Sequence, residues 1–447
     1  MKKILVVGQG GRESSIAKRL AEDSIVFAVM AHKNPTLVRY VNCSGGKYLI
    51  CSPNDGEAIA RFATENSVDL VFVNSDEPLA SGVVDVLMSH GIHTVGPTRA
   101  GAQIEWDKEY AIKLMHKKFP EFTPEFWIVS NEESLTAAFD EIQKMSLEIV
   151  VKPQGLSGGK GVKVMGVHLA NLMAAEEYTR KLLSDRPDES VILVEKIEGV
   201  EFTLMVLTDG VSVLRPPATY DYPYRFDGDT GPGTGGMGSF NDRCLPLPFM
   251  TQVDYDQCLN IAIEILQVIR AENRHFNGVL NTGFFITEKG LKFLEFNARF
   301  GDPECMNIMS VLDGSLSSLL NDIDCKTLTN TSARFMNQAS VVKYLVSPDY
   351  ALKNGERHEF EMDIDAIERM GVDIFFSSAV EIEINRFVTI GNSRCVALVA
   401  RSNSIQSACD QVETAIRKHV RGPLDWRTDV GSEYKNLNVY KDRIYIT

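Results

Sequence analysis

Apolar residues fall in short runs, separated by stretches in which they recur at helical spacing. Ile4-Leu5-Val6-Val7 is a run of four, the mark of a strand buried on both faces. Helical spacing over 13–20, a second strand over 26–30, a helix over 57–65 and a third strand over 70–73 follow. A helix over 79–89 and a short strand ending at His93-Thr94-Val95 complete the series. Strands alternating with helices predict a doubly wound parallel sheet. Gly96-Pro97-Thr98 is the breaker that ends it.

Beyond it the spacing predicts a polar helix over 100–118, closed by Pro120 and Pro124. A second α/β region runs from 126 to about 203, with strands at 149–152 and 191–195. Residues 215–238 are dense in Gly and Pro and read as loop. A long helix over 254–270 precedes strands at 279–287 and 291–297, a hairpin around Glu288-Lys289-Gly290. After Asn330 the pattern is β-rich, with strands at 339–345, 374–376, 379–384, 387–390 and 395–401 and a closing helix over 405–419. The fold class is thus mixed α/β and α+β, in several domains.

The length, 447 residues, suits three or four domains. The formal charge of −14 argues against a nucleic-acid partner, whose surfaces are basic. Met1-Lys2-Lys3 leads into a four-residue apolar run, a first strand rather than a signal peptide. No apolar stretch approaches the ~20 residues of a membrane helix, so no membrane partner is expected. The eight cysteines are scattered without a CxxC pair and read as reduced packing residues. His90 and His93 stand alone, against a zinc site. A soluble, reducing, cytoplasmic setting is expected.

Five segments carry candidate chemistry. Gly8-Gln9-Gly10-Gly11-Arg12-Glu13 joins a strand to a helix, where amides and the helix dipole attract phosphate. Glu13 stands where a dinucleotide fingerprint needs its third glycine, and Ala31-His32-Lys33-Asn34 lacks the ribose-binding acid. A nicotinamide enzyme is therefore disfavoured; a phosphosugar site or a packing turn remains. Gly155-Leu156-Ser157-Gly158-Gly159-Lys160-Gly161, after Val151-Lys152-Pro153, misses P-loop spacing but suits a loop closing over nucleotide phosphates, or a plain surface loop. Glu195-Lys196-Ile197, with Glu201 beyond, is a strand end and connector able to meet adenine and ribose. In Leu291-Lys292-Phe293-Leu294-Glu295-Phe296-Asn297, period two puts Phe293, Glu295 and Asn297 on one face. Carboxylate and amide oxygens two apart suit magnesium. Arg299 is either a partner for a buried Glu295 or a phosphate ligand. The run 227–238, with six glycines, suits close backbone approach to a ligand, or a disordered loop.

With these segments in this order, essentially the whole chain resembles the phosphoribosylamine–glycine ligases (glycinamide ribonucleotide synthetases) of the ATP-grasp superfamily. The resemblance implies an N-terminal α/β substrate domain (1–100), an ATP-grasp domain (101–330, mobile lobe about 124–195) and a β-rich C-terminal domain (331–447). It implies ATP and Mg2+ or Mn2+, with glycine and 5-phosphoribosylamine as substrates, in a monomer or weak homo-oligomer. Lys108 and Lys152 would contact ATP phosphates, and Gly155, Ser157, Gly158, Gly159 and Lys160 would belong to the lid. Glu195-Lys196-Ile197 would lie along adenine, Glu195 and Ile197 offering backbone groups, and Glu201 would hold the ribose. Glu295 and Asn297 would be metal ligands, with Arg299 and Lys152 at the transferring phosphoryl group. Asp221 would meet the glycine ammonium, and Gly10, Gly11 and Asn34 are assigned to the acceptor from turn geometry. The chain departs from the family at Ser14-Ser15, at Lys33-Asn34-Pro35-Thr36, at Tyr222-Pro223-Tyr224 with Arg225 shifted along, and at Met306. These positions concentrate near the acceptor, which keeps open a ligase for another amine or amino acid. A degenerate nucleotide-binding module is opposed by the intact Glu295 and Asn297.

Overall fold

The first strand, Lys3–Val7, is wholly apolar after Lys3 and occupies the middle of a parallel sheet. The computed structural model describes residues 1–156, 161–352 and 356–432. Strand order in this sheet is Tyr48–Ile50, Ile25–Met30, Lys3–Val7, Leu70–Val73, Thr94–Val95, all neighbours parallel. The order reverses direction between Lys3–Val7 and Leu70–Val73, which is where open α/β sheets hold ligands. The segment expected as one helix over 79–89 is two, Asp76–Ser81 and Val83–Ser89. They break at Gly82, whose φ of +84° no helix tolerates. Helix Pro35–Ser44 and strand Tyr48–Ile50 escaped the apolar pattern.

The chain divides into two compact units. One holds Met1–Ala102, Phe202–Thr282 and Asn297–Thr447; the other holds Gln103–Glu201 and Gly283–Phe296. It passes between them inside strands, since Glu201 and Phe202 are neighbours in Val200–Thr208, and Thr282 and Gly283 in Gly278–Thr287.

In the first unit, the face of the parallel sheet carrying Ile4, Val6 and Phe72 packs with helices Gly11–Leu20, Glu304–Val311 and Leu316–Asp324 into one apolar core. A second, antiparallel sheet has the order Tyr220–Asp221, Gly238–Asn241, Ala339–Leu345, Val396–Ser402, Asp373–Phe376. Its first two strands, Tyr220–Asp221 and Gly238–Asn241, come from within and from the end of the glycine-rich segment read as loop. Between them lies a small hairpin, Tyr224–Phe226 with Thr230–Gly233. What orders so many glycines is a distant clamp. The buried Arg427 guanidinium donates to the Tyr224 carbonyl at 3.1 Å and to Asp229 at 2.7 Å, pairs with Asp429, and lies 4.8 Å over the Tyr222 ring.

In the second unit, Phe126–Val129, Val191–Glu195, Ile149–Pro153 and Lys163–Val164 form an antiparallel sheet in that order. Helices Glu132–Met145 and Leu172–Asp185 cover it through Leu135, Phe139, Ile142 and Ala175. The polar helix expected over 100–118 is broken, because Asp107 leaves the helix to cap Lys108–Lys118, accepting from Tyr110 N–H at 3.0 Å. No helix among the described residues is long and apolar enough to cross a membrane.

Arg427→Ala would strand the buried Asp429 carboxylate and release Asp229. Removing one partner of such a pair costs about 3–5 kcal/mol. Urea unfolding followed by circular dichroism should show a loss of that order; a loss below about 1 kcal/mol would mean the clamp is dispensable.

Candidate active site

The turn after the first strand is built around the Glu13 carboxylate. Oε2 accepts from Gly10 N–H at 2.7 Å, and Oε1 accepts from Arg12 Nε at 2.6 Å and the Ser75 hydroxyl at 3.0 Å. A fixed negative charge thus occupies the helix N-terminus that a dinucleotide pyrophosphate would need. Ser75 follows the neighbouring strand Leu70–Val73, so the network straddles the point where strand order reverses. The Arg12 guanidinium is buried there too, donating to Ser75 Oγ and to the Phe300 carbonyl, both at 3.0 Å. That contact brings the 299–304 segment to the turn.

Asp302 is the next member. Its Oδ1 accepts from the Tyr344 hydroxyl at 2.7 Å, and its Oδ2 lies 3.3 Å from Arg394 Nη2. Arg394 lies 4.6 Å over the Tyr344 ring and donates to the carbonyls of Asp302, Gly235 and Gly236. Gly236 has φ +97°, and a Cβ there would lie 2.6 Å from Asp221 Oδ1. On Gly11 a Cβ would lie 2.3 Å from the Tyr344 hydroxyl, and on Gly10 3.3 Å from Asp302 Oδ2. Gly10, Gly11 and Asp221, chosen from sequence, are therefore joined through Asp302, Tyr344 and Arg394, which were not. The signal for Asp302 was its place in Arg299-Phe300-Gly301-Asp302-Pro303-Glu304; Tyr344 and Arg394 lie in the β-rich region and carried none.

Arg299 donates to Asn297 Oδ1 and to the Phe300 carbonyl, both at 3.1 Å. Burial would push the Asp76 carboxyl up, but Arg299 and Arg12 outweigh it and hold it below the usual range. Asn34 has a different role from the one assigned. Its Oδ1 caps helix Pro35–Ser44 through the N–H groups of Thr36 and Leu37, and its amide donates to the carbonyls of Gln9 and Phe376. Both amide hydrogens are spent on the fold.

Two lysines and one acid dominate the second unit. Lys152 is half-buried, its Nζ donating to the Leu294 carbonyl at 3.3 Å. Lys108 Nζ donates to the carbonyls of Pro153 and Gly155. Burial lowers the pKa of both ammonium groups, and Glu295 is the chief opposing charge in each case. Glu201 also acts on Lys152, and the two lysines repel one another at Lys108. Gly155 sits at φ +80° at the mouth of the glycine loop, and across the loop the Gly161 carbonyl accepts from the Tyr178 hydroxyl at 2.8 Å. Ser157, Gly158, Gly159 and Lys160 lie outside the described residues.

Glu195 and Lys196 donate their N–H groups to the carbonyls of Glu125 and Glu148, which removes those hydrogens as adenine donors. The Lys196 ammonium pairs with Glu148 at 2.5 Å. Glu295 is exposed, while Leu291, Phe293 and Phe296 of the same strand are buried. Strict alternation fails here: the rings of Phe293 and Phe296 meet at 4.5 Å. The desolvation problem expected for Glu295 therefore does not arise. An accessible carboxylate two residues from an amide oxygen is an all-oxygen donor set that fits a hard cation.

The departures from family pattern have structural causes. The Ser14 hydroxyl donates to the Phe376 carbonyl at 2.7 Å. Arg225 is buried, bonded to the Tyr350 carbonyl and, at 2.7 Å, to Asp425. The Tyr222 hydroxyl accepts from Gly431 N–H at 3.0 Å.

Two half-buried lysines that share one exposed carboxylate as their chief opposing charge, beside a glycine-rich stretch, suit an ATP-grasp ligase. The fold agrees: the biotin carboxylase domain of Hydrogenobacter thermophilus 2-oxoglutarate carboxylase, solved with MgADP and bicarbonate, superposes with a TM-score of 0.68 at 14% identity, over 98% of this chain and 99% of that one. The phosphoribosylamine–glycine ligase of Thermotoga maritima gives 0.77 at 22% identity, over 96% and 99%. Sequence is more specific. The family model for the phosphoribosylglycinamide synthetase N domain matches residues 2–105, and that for its ATP-grasp (A) domain matches 106–305. The phosphoribosylamine–glycine ligase of Methanosphaera stadtmanae is 37% identical over 434 residues, 96% of each chain. The chain belongs to the phosphoribosylamine–glycine ligase family.

A lysine with lowered pKa loses its charge earlier as pH rises. ATP affinity should therefore weaken as pH rises, before the ~10.4 of an ordinary lysine is reached. Lys152→Arg, charged throughout, should flatten the curve in isothermal titration calorimetry. A flat wild-type curve would remove Lys152 from the phosphates.

Proposed function

We propose that the protein joins glycine to 5-phosphoribosylamine at the expense of ATP, in purine nucleotide synthesis. The γ-phosphoryl group moves to the glycine carboxylate, giving glycyl phosphate. The amine of phosphoribosylamine then attacks the acyl carbon, and glycinamide ribonucleotide, ADP and phosphate leave. Family membership along nearly the whole chain, together with the lysine pair facing Glu295, carries this reading.

The residues divide the labour by charge. Lys108 and Lys152 neutralise ATP phosphate oxygens. Their burial means that the ammonium groups are poorly hydrated, so a phosphate gains more from them than from surface lysines. Glu295 and Asn297 would hold Mg2+ or Mn2+, which would screen the phosphate charge and polarise the phosphoryl oxygen. Arg299, fixed by Asn297, faces the transferring group. Asp221, beside the backbone of Gly236, receives the glycine ammonium. The glycine loop begun at Gly155 covers the phosphates and keeps water from the acyl phosphate. Ser14, Tyr222 and Arg225 are committed to packing, so these departures do not call for a different amine.

ADP release should require glycine and phosphoribosylamine together. Glu295→Gln should lower kcat by about 100-fold or more, with an unchanged thermal midpoint because Glu295 is exposed. Near-normal turnover in that variant would overturn the metal role of Glu295, and ADP release with a different amine alone would overturn the substrate.

A further inference from the structure

We propose that Asp302 is the base of the amide-forming step, taking the proton that the attacking amine gives up. The inference rests on the ligase reading above and adds a residue to it.

Four observations carry it. Asp302 lies three residues beyond Arg299, at the phosphoryl end of the site, yet its Oδ2 faces the Cα of Gly10, at the helix turn assigned to the acceptor. Its side chain keeps 13% of its surface, enough for one oxygen to meet a ligand. Its other oxygen is fixed by the Tyr344 hydroxyl at 2.7 Å, and Oδ2 itself lies 3.3 Å from Arg394 Nη2, whose guanidinium stacks on Tyr344. The carboxylate is thus aimed before substrate arrives. Finally, Glu304, two residues on, is buried beneath Gly301, where a Cβ would lie 2.4 Å from its Oε2, and that oxygen has no hydrogen-bond partner. Burial first, and the nearby Asp302 charge in addition, push the Glu304 carboxyl up, against Arg299 and Arg394. Of the two neighbouring carboxyl groups, Asp302 is therefore the one with an ion-pair partner and an exposed edge, while Glu304 is sealed beneath the backbone. The charged and titratable groups around Asp302 include Glu13, whose Oε2 shares the Gly10 position with Asp302 Oδ2, and Arg12, Arg394, Tyr344, Glu304 and Cys305.

The step balances without another reactant. The amine lone pair forms the C–N bond to the acyl carbon of glycyl phosphate. The C–O bond breaks, and its electron pair leaves with inorganic phosphate. The extra proton on nitrogen passes to Asp302 Oδ2 and from there to water.

The test separates the two half-reactions. Glycine-dependent positional isotope exchange within ATP, run without phosphoribosylamine, reports glycyl phosphate formation; ADP release with both substrates reports ligation. Asp302→Asn should slow ligation by about 100-fold or more while isotope exchange stays at the wild-type rate. Ligation within about fivefold of wild type, or exchange lost in parallel, would overturn the assignment. Should Asp302→Asn melt at the assay temperature, Asp302→Glu keeps the charge that Arg394 and Tyr344 require and moves the oxygen by one methylene. The same split is then expected, about tenfold on ligation alone, and equal ligation rates overturn it. Wild-type enzyme without glycine- and phosphoribosylamine-dependent ADP release would instead sink the ligase reading itself.

Discussion

The first unit is organised around one carboxylate at the start of its first helix. Glu13 answers the Gly10 amide, the Arg12 guanidinium and the Ser75 hydroxyl at once. The helix dipole is satisfied from within, so the turn needs no bound anion to hold its shape. Arg12, oriented by that carboxylate, reaches the Phe300 carbonyl and helps keep Asp76 ionised. Without Glu13, the turn and the strand-end serine would lose their common partner, and Arg12, which reaches the Phe300 carbonyl, would lose the carboxylate that orients it. The residue that spoils a dinucleotide fingerprint is thus the one that assembles a different site at the same topological position.

The fold was legible wherever structure is local. Leu70–Val73, Val191–Glu195, Ala339–Leu345 and Ile405–His419 follow apolar runs or helical periods and appear where those patterns place them. Single residues explain the failures. Gly82 and Asp107 each divide a helix that periodicity draws as continuous. The glycine-rich stretch pairs with Ala339–Leu345 and is clamped by Arg427, partners no local window contains.

The site divides the same way. Lys108, Lys152 and Glu295 announce themselves as charges beside glycines or within apolar strands. Asp302, Tyr344 and Arg394 look ordinary in sequence, because their meaning lies in contacts with one another. Asn34 shows the converse: a polar residue at a promising turn whose amide donates to two backbone carbonyls and whose Oδ1 caps a helix. The acidity of the chain also becomes intelligible. A few cations can be concentrated locally in an acidic chain, so the net charge of −14 says nothing against anionic substrates of small size.

The second unit is made from two stretches, Gln103–Glu201 and Gly283–Phe296, separated by a long excursion through the first. During synthesis Lys108 and Lys152 leave the ribosome well before Glu295 does. For that interval the two lysines lack their chief opposing charge, and the strand that carries it does not yet exist. The cluster of Lys108, Lys152 and Glu295 therefore cannot assemble until the final third of the chain is being made. A truncated or stalled chain would carry both lysines without the carboxylate that answers them.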